Sequence, residues 1–264
     1  MGTLTGYARM YSQYDTGTTG VSQTAEGNIL VTQEAANRTI IDHMQVSLAT
    51  AAGTFLVGKG DTPYTRFLDY AGPTIFDGEY GFNNSTEVSY TFTGGNGFSA
   101  IIAAVDNESD SSWDSNFEGG VRFTQAWGWI GGMGGYDGVA DEWGAKAAVG
   151  FKIPNTAVEL TLHGFYSSQD DDDIGVESEY ALRDNGDAYG AFSLAEWSVL
   201  AGASVALTEK VGLAGTFQYF ETDEYFAAVS LPISPVAGLA ITPEVTYTSR
   251  SEDFRGVLRF QRSF

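Results

Sequence analysis

Covalent chemistry has few residues to work with in this chain. There is no cysteine, hence no disulfide, no thiolate metal site and no cysteine nucleophile. Only two histidines exist, His43 and His163, so a serine triad would have to use one of them. His163 near Ser167 and Ser168 is the one arrangement of that kind, and it sits in no recognisable motif. Two histidines without cysteine also make a poor catalytic zinc set. The run Gly131-Gly132-Met133-Gly134-Gly135 lacks the Lys-Ser/Thr and the βαβ setting of a nucleotide loop; its small residues suit close approach by a loop or a neighbouring surface. Carboxylates are what the chain has in quantity: 34 Asp plus Glu against 13 Lys plus Arg, a formal charge of −21. That balance disfavours nucleic acid, which needs a basic stripe. The densest run, Asp170, Asp171, Asp172 and Asp173 with Glu177 and Glu179, lacks the alternating oxygen ligands and central glycine of a calcium loop. It reads as a solvated charge run, the sharper alternative being weak divalent-cation bridging to an anionic lipid. The chemistry on offer is electrostatic.

The elements that must position these charges follow from composition and period. The 264 residues include 33 Gly, 6 Pro and 14% aromatics, which excludes collagen-like and disordered chains. No apolar run approaches the length of a membrane-spanning helix, and no basic, apolar leader opens the chain, so a leader already removed is one expectation. Nearly everywhere the period is two. Trp143, Ala145, Ala147, Val149 and Phe151 alternate with Gly144, Lys146, Ala148, Gly150 and Lys152. Leu258 and Phe260 alternate with Val257, Arg259 and Gln261. Fourteen such segments are predicted, near 3–14, 38–50, 54–60, 86–94, 97–106, 116–126, 128–138, 142–153, 157–168, 194–207, 211–221, 224–232, 239–250 and 254–264. Most are longer than soluble strands and match what a tilted strand needs to cross a bilayer. Short turns such as Ala51-Ala52-Gly53 and Pro154-Asn155 alternate with longer polar stretches at 15–37, 61–85, 107–115 and 169–193. The pattern predicts one domain over residues 1–264, an all-β transmembrane antiparallel barrel with strand 254–264 closing against strand 3–14. Such a barrel needs no large buried core, since lipid covers one face and water the other. A soluble β-sandwich is the alternative, and long strands opposing charges to bulky aromatics argue against it.

Several segments resemble one family. The closing Phe254-Arg255-Gly256-Val257-Leu258-Arg259-Phe260-Gln261-Arg262-Ser263-Phe264 looks like the last strand of a bacterial outer-membrane porin, where Phe264 would be the insertion signal. Ile241-Thr242-Pro243-Glu244-Val245-Thr246-Tyr247-Thr248 resembles the penultimate strand of alphaproteobacterial general porins. Thr93-Gly94-Gly95-Asn96-Gly97-Phe98-Ser99-Ala100, Gly134-Gly135-Tyr136-Asp137 followed by Glu142-Trp143-Gly144-Ala145-Lys146, and Val57-Gly58-Lys59-Gly60-Asp61 leading to Phe67-Leu68-Asp69-Tyr70-Ala71-Gly72 are similar to that family in the same order. The resemblance implies sixteen strands, a trimer and a constriction loop folded into the barrel. Gly2-Thr3-Leu4 resembles the turn into the family's third strand, so the resemblance implies a chain without the first hairpin and an expectation of fourteen strands.

The resemblance places loop 61–85 inside the barrel, where Asp61, Asp69, Asp77 and Glu79 would supply an acidic side that Arg66 partly neutralises. Inward strand positions would supply the facing basic wall: Arg9, Lys59, Arg122, Lys146 and Arg259. For Lys59 the phase is ambiguous, because Phe55 and Val57 share its parity. Such opposed charges filter ions and solutes in a wet pore. Tyr7, Tyr14, Trp127, Trp129, Trp143, Trp197, Tyr219, Phe220, Tyr247 and Phe264 suit interfacial girdles, some of them lining the lumen instead. The reading is a general diffusion porin with mild cation preference, no catalysis and no cofactor. Its expected partners are outer-membrane lipid and lipopolysaccharide, small hydrophilic solutes and ions, and a homotrimer. A non-conducting adhesive barrel is the alternative.

Overall fold

The structure, a computed structural model, describes residues 2–23, 29–107, 114–169, 178–182 and 194–263, and the side chains of these outside 11–38. Among the described residues the chain forms one antiparallel sheet of fifteen strands. β1 (Thr3–Gln23) and β2 (Ile29–Thr50) make a long hairpin, followed by β3 (Gly53–Asp61). The loop 62–83, carrying the single turn α1 (Pro63–Arg66), leads to β4 (Asn84–Thr93). Then come β5 (Phe98–Val105), β6 (Asn116–Gln125), β7 (Gly128–Asp137), β8 (Glu142–Lys152) and β9 (Val158–Ser167). β10 (Trp197–Ala206), β11 (Gly212–Phe220), β12 (Tyr225–Ser230), β13 (Ile233–Val236), β14 (Leu239–Thr248) and β15 (Asp253–Arg262) complete the sheet. Each long strand pairs with its neighbour in sequence, while the short β13 lies against β14 inside a stretch predicted as a turn.

Two expectations are corrected. The polar stretch 15–37 continues as strand, paired from Tyr14↔Asn37 to Gln23↔Ile29. Backbone pairing continues through it, and a strand outside a bilayer needs no apolar face, so hydrophobic alternation does not reveal it. The predicted pairing of the last strand with the first is also absent. Among the described residues β1 pairs with β2 and β15 with β14, and the sheet is open between them. Alternation specifies which face a residue takes; closure depends on strand tilt and stagger summed around the whole sheet, which no local pattern encodes.

The two faces differ as period two requires. Val57, Val88, Ile102, Ile130, Leu162, Val199, Phe217, Val229, Val245 and Leu258 stand exposed on the outward face. Ser85, Glu87, Lys146, Gln218, Glu244 and Thr246 are covered on the inward face. So much exposed apolar surface on a folded chain is stable against lipid. At the end bearing the longer loops an outward aromatic row runs through Trp143–Tyr166 (ring centroids 4.9 Å apart), Trp197–Tyr219 (6.3 Å), Tyr225–Tyr247 (6.0 Å) and Tyr247–Phe254 (4.9 Å). Trp127 is exposed as well. Trp129 and Phe220 leave the predicted girdle, being inward and buried, and Tyr7 packs edge-on against His43. Phe264 and the Tyr14 side chain lie outside the described residues.

The interior is less empty than a wet barrel suggests. One apolar cluster joins Phe76 and Tyr80 of loop 62–83 to Phe165, Leu200, Phe220 and Phe226 of the wall. A second joins Tyr64 and Leu68 to Ile101, Trp129, Met133 and Tyr180. The expectation that no sizeable core is needed is therefore corrected: the loop brings its own apolar residues to an apolar inner wall. The glycines of β7 and β8 admit this packing. A Cβ on Gly135 would lie 2.5 Å from the Tyr180 ring, and one on Gly144 would lie 2.6 Å from the Tyr180 Cβ.

Candidate functional site: a loop folded across the lumen

Loop 62–83 leaves β3, crosses the interior and returns to β4, docking on the wall from β6 to β14. Wall side chains grip its backbone. Glu118 on β6 accepts the Tyr64 N–H at 2.6 Å. Glu244 on β14 accepts the N–H groups of Ile75 at 2.5 Å and Phe76 at 2.9 Å. Gln218 on β11 accepts from Glu79 N–H at 2.9 Å and donates to the Glu79 carbonyl at 2.7 Å. Bonds from amides to carboxylates are among the stronger ones, and here they fix the loop's path through its main chain. Packing adds to them: the Phe76 and Phe226 rings lie 4.5 Å apart, and the hydroxyls of Thr74 and Thr216 are 2.6 Å apart.

The four predicted acids stand in different surroundings. Asp61 is buried at the end of β3, where it accepts hydrogen bonds from the Tyr70 hydroxyl (2.5 Å) and Asn84 Nδ2 (2.9 Å). Its carboxylate lies 3.5 Å from His43 Nε2. Asp69, at a positive φ of 61°, takes two parallel bonds from Arg122, at 2.9 and 2.8 Å. Asp77 accepts from the Tyr80 hydroxyl at 2.8 Å, and burial pushes its carboxyl up to about 6 against the pull of Tyr80 and Lys146. Glu79 is held through its backbone by Gln218. Arg66 binds both oxygens of Glu87, at 2.7 and 2.9 Å, and donates to the Asp61 carbonyl at 2.9 Å, tying the loop's root to β4.

The five predicted bases divide into three groups. Arg122 and Lys146 lie beneath the loop. Arg122 stacks 4.3 Å above Trp129 as well as binding Asp69. Lys146 is only 3% exposed, donating to the Thr65 carbonyl at 3.3 Å with the Tyr64 and Tyr80 rings 5.3 and 5.1 Å away. Arg9 on β1 and Arg259 on β15 stand outside the stretch of wall that the loop covers. Arg9 ion-pairs with Asp42, which a bulge between Arg9 and Met10 brings to it. Arg259 stands beside the inward Thr242 and is exposed. Lys59 falls opposite Met44 and Thr86, both exposed on the outward face with Val57, so the register separates it from the other four.

From sequence, no part in holding the loop or lining the lumen was assigned to Glu118, Gln218 and Glu244, which hold the loop, or to Asp42 and His43. A lone inward carboxylate in mid-strand, such as Glu118 after Phe117 or Glu244 before Val245, is the signal that could have found the tethers. Asp42 gives no such signal, because its bulge breaks the alternation. Asp170, Asp171, Asp172, Asp173 and Phe264 lie outside the described residues. Among the described residues neither histidine meets a serine. His43 Nδ1 is 2.8 Å from Asp42, and His163 lies parallel to Phe165 with no hydrogen-bond partner at either ring nitrogen.

A lipid-facing antiparallel sheet with aromatic rows and a loop folded into its interior defines a bacterial outer-membrane channel. Comparison with known proteins agrees: the porin subfamily profile matches residues 1–261, and the chain belongs to that family. Porin Omp2b of Brucella suis biovar 1 is 27% identical over 288 aligned residues, covering all of this chain and 73% of that protein; porin Omp2b of Brucella neotomae is 28% identical with the same coverage. Among solved structures, a mutant porin of Rhodopseudomonas blastica superposes with a TM-score of 0.61 at 14% identity, covering 100% of both chains. A loop-deletion variant of OmpT, an outer membrane protein of Vibrio cholerae, gives 0.60 at 11% identity, covering 98% of this chain and 97% of that one. At these identities the structural matches speak for the fold.

Proposed function

We propose that this outer-membrane porin passes small hydrophilic solutes and ions passively through the part of the lumen that loop 62–83 leaves open, with a mild preference for cations. One observation carries the reading: the loop is clamped to the wall by Glu118, Gln218 and Glu244, while Arg9 on β1 and Arg259 on β15 stand exposed outside the stretch it covers. Water then has a path beside the docked loop, bordered by the exposed Asp69 and by the two arginines. The cation preference rests on the summed charge of −21, which concentrates cations at the mouth. Asp61, Asp69, Asp77 and Glu79 act as the acidic side of the constriction, and Arg9 and Arg259 as the basic side facing it. Arg122 and Lys146 serve as supports for the loop. A homotrimer is the assembly we propose. The test is planar-bilayer recording under a salt gradient. Ohmic steps in triplets with a cation-directed reversal potential support the reading, and an anion-directed potential overturns the selectivity. Insertion without conductance would favour a plugged, adhesive barrel.

A further inference from the structure

Two aromatic rings on the constriction loop are left exposed, where Phe67 is partly covered and the other large rings of the loop are buried. Tyr70 is 46% and Phe82 53% exposed, whereas Tyr64, Phe76 and Tyr80 are covered. The two exposed rings lie 6.3 Å apart with their planes near-parallel at 23°, and this stacked pair forms the aromatic platform of the loop. The platform is braced from behind: Tyr80 meets Phe82 edge-on at 6.3 Å and in turn stacks on the buried Phe165 at 5.6 Å. The Tyr70 hydroxyl is pinned to Asp61, which also holds Asn84, so the ring cannot swing away. Exposed aromatic area in a water-filled passage gains nothing by itself, and a rigid planar surface is what a ligand with a flat apolar face would use.

The charges beside the platform identify the class of ligand. Asp61 is buried and already engaged by Tyr70, Asn84 and His43. Asp69 is neutralised by Arg122, and Arg9 by Asp42. The edge of the platform therefore presents hydrogen-bonding groups whose charges are compensated, which suits a neutral polyhydroxylated solute better than an organic cation. We propose that Tyr70 and Phe82 form a stacking subsite for neutral pyranose sugars inside the channel. A pyranose chair packs its partly positive C–H face on the negative π face of the rings, and its equatorial hydroxyls reach the polar groups around Asp61 and Asn84. This inference rests on the channel reading above.

The test is single-channel recording with cellobiose, whose equatorial hydroxyls leave flat C–H faces, against mannitol, an acyclic polyol without one. Open-channel current is measured first: no current at all would overturn the channel reading itself. In a conducting channel, saturable current block by cellobiose and none by mannitol at equal concentration is the expected result. Phe82→Ala should weaken the block about fivefold, as expected for loss of one ring from the stack, and Phe82→Trp should restore or strengthen it. Equal effects of the two solutes, no block, or a block indifferent to both Phe82 variants would overturn the subsite. Block by tetramethylammonium but not by cellobiose would overturn it in favour of a cation site.

Discussion

The inner wall from β6 to β14 and the inner faces of β1 and β15 obey the same alternation and have opposite characters. The first is covered: Lys146, Glu118, Gln218 and Glu244 sit under loop 62–83 among Ile101, Trp129, Phe165 and Phe226. The second is open, with Arg9 paired to Asp42 yet half in water and Arg259 exposed. Outward, the two regions are alike, each showing Leu, Val, Met or Phe to lipid. The difference teaches that period two assigns a residue to the inside without saying whether the inside is wet. An inward Lys under the loop is a structural tether, and an inward Arg outside the covered stretch stands open to a passing ion.

The most direct way to break the contrast is to release the loop. Glu244→Ala strips the acceptor from the buried Phe76 N–H and the half-buried Ile75 N–H, at about 1–3 kcal/mol for a buried group left unsatisfied. Its single-channel conductance should become larger and noisier, with a lower urea midpoint in vesicles; unchanged conductance would mean that the tether does not set the aperture. Lys146→Ala comes next, since it withdraws a buried cation from beside Glu118 and Asp77, with a loss of about 3 kcal/mol expected from removing one partner of a buried charge cluster. The substitution Arg259→Ala on the open side should leave the urea midpoint within about 0.5 kcal/mol of wild type while shifting the reversal potential toward cations. Equal destabilisation by the two would erase the distinction between the regions.

Acid offers a gentler probe. The Asp77 carboxyl stands near 6 when the loop is docked, above its ordinary value of 3.8, because burial disfavours its charge. The docked loop therefore holds a proton that the released loop gives up between those values. Docking is firmest below pH 4 and loses this contribution as pH rises through 6. Channel noise should increase over that interval, and Asp77→Asn should flatten the dependence. The smallest effect is expected at Asp69, whose pair with Arg122 is more than half exposed on the carboxylate side. Asp69→Asn should alter stability by less than about 1 kcal/mol, read from the urea midpoint.

Fourteen long strands were legible because lipid forces apolar residues to one face along the whole length of each span. Segments such as 142–153 and 239–250 agree with β8 and β14 to within two residues. The extended β1–β2 hairpin was not legible, since beyond a bilayer neither face is constrained. At the site, the acids of loop 62–83 were found, but the partners of Asp61 and Asp69 were not. His43 is eighteen residues from Asp61 in sequence and Arg122 fifty-three from Asp69, and a period of two says nothing about contacts across a lumen. The Lys59 ambiguity resolves by parity: β3 runs unbroken through Gly58, so Lys59 shares the outward face of Phe55 and Val57.

The central claim is that an aqueous path runs between a clamped loop and an open wall, and paired conductance recordings of wild type and Glu244→Ala in one planar bilayer under one salt gradient test it most directly. The account predicts discrete ohmic steps in wild type, a reversal potential on the cation side, and larger steps once the Glu244 clamp is gone. Steps of identical size in the two proteins, or a wild-type barrel that inserts without carrying current, would contradict it.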